Sequence, residues 1–102
     1  MNDSDAADIL SALGNEKRLQ VFRLLVRAGR DGMNVGDIQL RTAIPASTLA
    51  HHIATLTRAG LVSQDRVGRE TICQANYETM QTVFDFMTEQ CCAGVEPLAD
   101  AG

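Results

Sequence analysis

The feature that most limits what this chain can fold into is a change of hydrophobic period at Gly60. Before it, apolar residues recur every three or four positions, the spacing of amphipathic helices. After it, Leu61 to Val67 and Glu70 to Ala75 are two short runs with β-branched residues on either side of Gly68. Runs of that length around a glycine predict a hairpin with a tight tip. Helical spacing then returns with Met80, Val83, Phe84 and Met87. The predicted order is four helices, a two-stranded β-hairpin and a fifth helix, a mainly α class. A chain of 102 residues holds one core of this kind, so a single domain over 1–102 is expected, with 94–102, which include Gly94, Pro97 and Gly102, as a flexible tail.

Local signals place the elements. Ile9, Leu10 and Leu13 form a short apolar face that stops at Gly14, and Asn15 stands where it would cap the next helix. In that helix Leu19, Phe22, Leu25 and Val26 face inward, with Lys17, Arg18, Arg23 and Arg27 on the wet side, until Gly29 and Gly32 interrupt the pattern. Asn34-Val35-Gly36-Asp37 has the form of a capping arrangement for a two-turn third helix using Val35, Ile38 and Leu40. Pro45 suits the start of a fourth helix that runs to Arg58 with Leu49, Ile53 and Leu56 on one side. Asn76 is placed to cap the last helix, Tyr77 to about Cys91.

A net charge of −4 argues against a polyanionic partner until its distribution is followed. Residues 41–70 hold four arginines, Arg41, Arg58, Arg66 and Arg69, against two acids, whereas residues 71–102 hold five acids and no base. The excess positive charge therefore sits in one middle segment, and the acidic ends would turn away from a polyanion. No apolar run approaches the roughly 20 residues of a membrane span, and the acidic stretch after Met1 is unlike a secretory leader. A cytoplasmic protein without membrane contact is expected. Three cysteines, an odd number in a reducing compartment, are expected as free thiols.

Two short helices joined by a tight turn can read DNA when the second anchors itself through a few apolar residues and turns small or polar ones outward. The segment Val35 to Arg58 meets this demand. With Leu49, Ile53 and Leu56 inward, Ala46, Ser47, Thr48, His51 and His52 are candidates for a major groove, where hydroxyls reach base edges or phosphates and first-turn amides receive a phosphate. Arg66 and Arg69 flank Gly68 and would reach the backbone or a minor groove. An ordinary amphipathic helix with a solvated face, beside a hairpin with a charged tip, would look the same at each position taken singly.

Taken together, Leu13 to Leu25, Val35 to Ile38, Ser47 to Val62 and the pair Gly68-Arg69 resemble the ArsR/SmtB family of winged helix–turn–helix repressors, over about residues 7–92. The resemblance implies a homodimer held by its first and last helices, bound to double-stranded palindromic operator DNA with no cofactor. It also implies release when a metal ion, metalloid or oxidant reaches a sensor site. Arsenite sensors of the family with a cysteine motif on the third helix differ from this chain, whose matching stretch Val35 to Leu40 has no cysteine. A branch with a vicinal cysteine pair late in the last helix is more similar, through Cys91 and Cys92.

Soft thiolates select soft ions, and trivalent arsenic or antimony is satisfied by two or three sulfurs. Cys73, Cys91 and Cys92 are therefore the candidate ligands for arsenite, methylarsenite or antimonite as inducer. A straight helix between Cys73 and Cys91 would separate them by roughly 20 Å, so a three-sulfur site would span two subunits through antiparallel last helices. If Cys73 is instead a buried small apolar residue, a dithiol remains, which suits a monomethylated trivalent arsenical better than arsenite. Zinc fits poorly, because both histidines lie on the fourth helix and the last helix lacks a histidine and carboxylate set. A thiol-based redox or persulfide response is the alternative, although a pair at a helix C-terminus near Glu89 and Glu96 offers a reactive thiolate no cation. An enzyme is not expected: Cys91 has neither a glycine-rich phosphate loop nor a basic neighbour.

Overall fold

The computed structural model describes residues 1–98. Of the expected tail, residues 94–98 carry no helix or strand, and 99–102 lie outside the described residues. Five helices appear in chain order: α1, Asp3–Leu13; α2, Glu16–Ala28; α3, Val35–Thr42; α4, Ala46–Arg58; and α5, Tyr77–Thr88. Three strands, β1 (Met33–Asn34), β2 (Val62–Val67) and β3 (Glu70–Ala75), form one antiparallel sheet in the order β1-β3-β2. The two-residue β1 adds a strand to the expected hairpin. It pairs Met33 with Cys73 and Asn34 with Ile72, and a run this short carries no alternation by which sequence could reveal it.

Side-chain caps start three of the helices. Asn2 accepts from the Asp5 amide at 2.8 Å, Asn15 from the amides of Lys17 and Arg18 at 3.0 and 3.1 Å, and Asn34 from the Asp37 amide at 2.8 Å. Asn34 both pairs in β1 and opens α3, so it joins sheet to helix. Asn34→Ala should lower stability by about 1 kcal/mol in denaturant unfolding, with α3 amides losing hydrogen-exchange protection first. Asn76 does not follow the pattern. It precedes α5 but donates its side-chain amide to the Gly60 carbonyl at 2.9 Å, and Thr79 donates to the same oxygen at 2.7 Å. The expected cap is thus a strap from the end of α4 to the start of α5.

The core is filled by Val21, Phe22 and Leu25 of α2, Ile38 of α3, Leu49, Ile53 and Leu56 of α4, Leu61, Val62, Cys73 and Ala75 at the base of the hairpin, and Val83 of α5. Each large member removed from water contributes about 1.5–3 kcal/mol. Leu40, expected inward, is 82% exposed, because α3 is too short to turn more than Ile38 and Thr42 fully inward. Phe84 and Met87 of α5 are also exposed, at 58% and 55%, as in part are Leu10 of α1 and Tyr77 of α5. These helices pack against each other in one chain and leave an apolar surface uncovered.

Candidate nucleic-acid interface

The turn between α3 and α4 is three residues, Ala43 to Pro45. Ala43 adopts the left-handed conformation at φ 57° and donates its amide to the Gln39 carbonyl at 2.8 Å, closing α3. Thr42 donates to the Ile38 carbonyl at 2.7 Å, and Ile44 is buried, which pins the turn to the core. Pro45 then precedes α4 rather than lying in its first turn, and no side chain caps that helix. The amides of Ala46, Ser47 and Thr48 come before the first backbone bond of the helix, from Leu49 to the Pro45 carbonyl, so they point outward with no helical partner. Amides so placed at the positive end of a helix receive phosphate oxygens.

Along α4, Leu49, His52, Ile53 and Leu56 are buried and Ala46, Ser47, Thr48, Ala50 and His51 are exposed. The vicinal histidines therefore part company. His51 faces out, whereas His52, expected among the groove residues, is 8% exposed, with its Nδ1 3.4 Å from an Arg18 guanidinium nitrogen. The reason is angular: His52 follows Leu49 by three residues and precedes Leu56 by four, which places it on the anchoring side of the helix. Burial first, then the positive charge of Arg18 and the neighbouring His51, hold the His52 imidazole below its ordinary titration range.

The outward side of α4 continues through half-buried Thr55 to exposed Arg58. Thr55 and Arg58 follow His51 at helical spacing, and Arg58 donates to the Thr55 hydroxyl at 3.3 Å. Composition places Arg58 only in the basic segment; the four-residue interval from Ser47 through His51 to Thr55 is the signal that links it to the stripe. At the hairpin, β2 and β3 pair from Val62 with Ala75 to Val67 with Glu70, leaving Gly68 and Arg69 as the tip. Gly68 takes φ +63°, Arg66 donates to its carbonyl at 3.3 Å, and both tip arginines are exposed. A bond from Gln64 of β2 to the Thr57 hydroxyl of α4, at 2.9 Å, ties the hairpin to the helix that carries the stripe.

The cysteines divide in the same way. Cys73 is 0% exposed at the centre of the sheet, opposite Met33 and Gln64, and burial pushes its thiol up from the ordinary range. It packs as a small apolar side chain, and a sulfur with no exposure cannot meet a partner's thiol at a subunit seam unless the core opens. The expectation that it joins Cys91 and Cys92 is thereby corrected for this conformation. Among the described residues of one chain, no three His, Cys, Asp or Glu side chains group as a metal site. Helix α5 also ends earlier than expected, at Thr88, so Cys91 and Cys92 lie in the turn beyond it. The Cys91 amide donates to the Thr88 carbonyl at 3.0 Å, Cys92 has φ 65°, and the two exposed sulfurs are 3.2 Å apart.

A family model described as a helix-turn-helix domain matches residues 6–65. The uncharacterised HTH-type transcriptional regulator YceK of Bacillus subtilis is 30% identical, across 79% of this chain and 80% of its own. ArsR2 of Halobacterium salinarum, whose assigned role is repressor of an arsenical resistance operon, is 33% identical across 65% of this chain and 58% of its own. The chain belongs to the helix–turn–helix transcriptional regulators. Among solved structures, reduced HlyU of Vibrio cholerae superposes with a TM-score of 0.68 at 26% identity, covering 89% of this chain and 93% of that one. In this regulator α3, the three-residue turn and α4 are the helix–turn–helix, and the β2–β3 hairpin is the wing. These relatives are transcriptional regulators rather than enzymes. No helix among the described residues is long and apolar enough to cross a membrane.

Proposed function

We propose that this regulator is a cytoplasmic repressor that binds double-stranded operator DNA as a homodimer and leaves it when a trivalent arsenical joins Cys91 to Cys92. The observation that carries the DNA reading is the exposed stripe of α4 beside a hairpin that is tied to the same helix and carries exposed arginines at its tip. Ser47, Thr48 and His51 meet base edges, and Ala46 permits close approach. The free first-turn amides take a phosphate, while Arg66 and Arg69 hold the flanking backbone. His52 leaves the groove set and acts from inside.

The uncovered apolar surface of α1 and α5 supports the homodimer, since a second copy would bury Leu10, Tyr77, Phe84 and Met87, which one chain leaves exposed. A two-fold pair of α4 helices then reads half-sites about 34 Å apart, one turn of DNA. Cys91 and Cys92 follow the last turn of α5, so a ligand there bears on a helix of the dimer seam. A separation of 3.2 Å is close to the span of one pyramidal trivalent atom bonded to both sulfurs at metal–thiolate lengths of about 2.3 Å. Methylarsenite exchanges its two hydroxyls for the two thiols, releasing two waters. With Cys73 in the core, this dithiol favours methylarsenite over arsenite, which retains a third bond to satisfy. The same separation supports a second reading, oxidation of the pair to a vicinal disulfide by an oxidant or persulfide.

The test of the DNA reading uses duplexes selected by the protein from a random pool. Affinity should fall steeply and linearly on a log–log salt plot. Ser47→Ala and Thr48→Ala should each weaken the selected duplex by about 1–3 kcal/mol while sparing random DNA. Arg66→Ala and Arg69→Ala should weaken both alike and each reduce the salt slope by about 1. Failure of the wild type to retain any duplex at low salt, or a monomer at every concentration tested, would overturn the reading.

A further inference from the structure

One side chain of α2 touches two other helices at once. Arg18, third residue of α2 and half-buried, donates through Nε to the Ala12 carbonyl at 2.6 Å, and Nη2 is 3.5 Å from the Ser11 carbonyl. Both oxygens belong to the last turn of α1, which has no basic residue of its own, so Arg18 supplies the cation that the negative end of that helix attracts. Its Nη1 lies 3.4 Å from Nδ1 of His52, on the inward side of α4. A guanidinium has donors only. The imidazole must therefore present a bare Nδ1 and carry its proton on Nε2. Protonation at Nδ1 would remove the acceptor and set one cation against another.

We propose that Arg18 is a positioning residue for operator reading: it locks the reading helix α4 to the end of the dimer helix α1 through neutral His52, and acid opens that lock. The inference rests on the DNA reading above and adds to it a physical path between α1, which contributes to the dimer seam, and the helix that enters the groove. It also gives the adjacent histidines opposite duties. His51 faces solvent, and its charging adds a positive group near phosphates, which strengthens binding. His52 faces Arg18, and its charging repels the guanidinium and loosens α4. Among the described residues, the charged or titratable groups acting on His52 are Arg18 from α2 and His51 of its own helix, while α1 presents the carbonyls of Ser11 and Ala12 to Arg18. The depressed titration of His52 agrees with this geometry.

The test removes the outer histidine so that the inner one is read alone. In His51→Gln, affinity for the selected duplex should fall roughly threefold or more as pH drops from about 7.5 through the lowered midpoint of His52. In His51→Gln combined with His52→Asn, whose amide oxygen stands near the position of Nδ1 without titrating there, the profile should be flat. Equal profiles in the two proteins would overturn the proposal.

A second arm needs no DNA. Imidazole NMR of the wild type should show His52 as the Nε2–H tautomer, and Arg18→Gln should move its titration upward, toward the ordinary value of 6.5. Thermal stability follows the same sign. A histidine held neutral in the fold contributes stability that is intact above about pH 6.5 and is lost as pH falls through its lower folded midpoint. His52→Asn should remove that loss. An Nδ1–H tautomer, or an unchanged titration in Arg18→Gln, overturns the lock whatever happens with DNA. A normal lock in a wild type that retains no duplex overturns the positioning role by way of the DNA reading and leaves the contact itself intact, so the two failures are told apart.

Discussion

Cys91→Ser and Cys92→Ser should each leave duplex affinity unchanged and raise the methylarsenite needed to dissociate the complex by about 100-fold or more. The magnitude comes from the second bond. Once one sulfur is attached, its neighbour at 3.2 Å attacks at a high effective concentration, and a serine hydroxyl does not replace a soft thiolate. Cys73→Ala supplies the contrast. It removes a sulfur from the closed core, so it should lower stability by about 1 kcal/mol or more and leave release intact. Unchanged release in both Cys91→Ser and Cys92→Ser defeats the sensor assignment. Release lost in Cys73→Ala, with the fold retained, restores a three-sulfur site and requires the sheet to open. Comparing methylarsenite, arsenite, antimonite, zinc and a persulfide on the wild-type complex separates coordination from oxidation, because a disulfide formed by the pair is reversed by a reductant and a zinc response would need ligands that do not group here.

Gly32→Ala should be among the most damaging single-methyl changes in the protein. Gly32 has φ +69° and ψ −161°, a region essentially closed to other residues. A Cβ there would collide with the Cys73 carbonyl oxygen and stand 2.8 Å from Gln74 Cγ and 2.9 Å from Ile72 Cγ2. The oxygen belongs to the central strand, so relief requires β1 to leave the sheet. Strain and lost packing together should reach about 3 kcal/mol or more and lower the thermal midpoint by more than about 10 °C. Gly68→Ala is the control. At φ +63° it carries conformational strain, but its Cβ meets nothing within 4 Å, so a loss of about 1 kcal/mol is expected. Equal losses in the two variants would mean that β1 does not hold α3 against the sheet.

Most of the reading unit was legible because its signals are local. A hydroxyl-rich first turn after Pro45, the inward triplet Leu49, Ile53 and Leu56, and a glycine between two strand-like runs each depend on neighbours within a few positions. His52 and Cys73 were misplaced for a different reason. Their types fit both a surface role and a packed one: the spacing of His52 from Leu49 and Leu56 turns it inward, where Arg18 from α2 meets it, and the arrival of β1 beside β3 covers Cys73. The turn holding Cys91 and Cys92 was missed because α5 stops at Thr88 without a glycine at its end.

Hydrophobic period, capping residues and turn chemistry by themselves determined the order of helices and hairpin, the anchoring side of α4 and the arginines of the wing tip, since each follows from geometry inside one element. Tertiary structure alone decided the third strand, the meeting of Arg18 with His52, the burial of Cys73 and the strap from Asn76 and Thr79 to Gly60. All four depend on groups brought together from distant parts of the chain, whose approach the core sets by the space it has to fill.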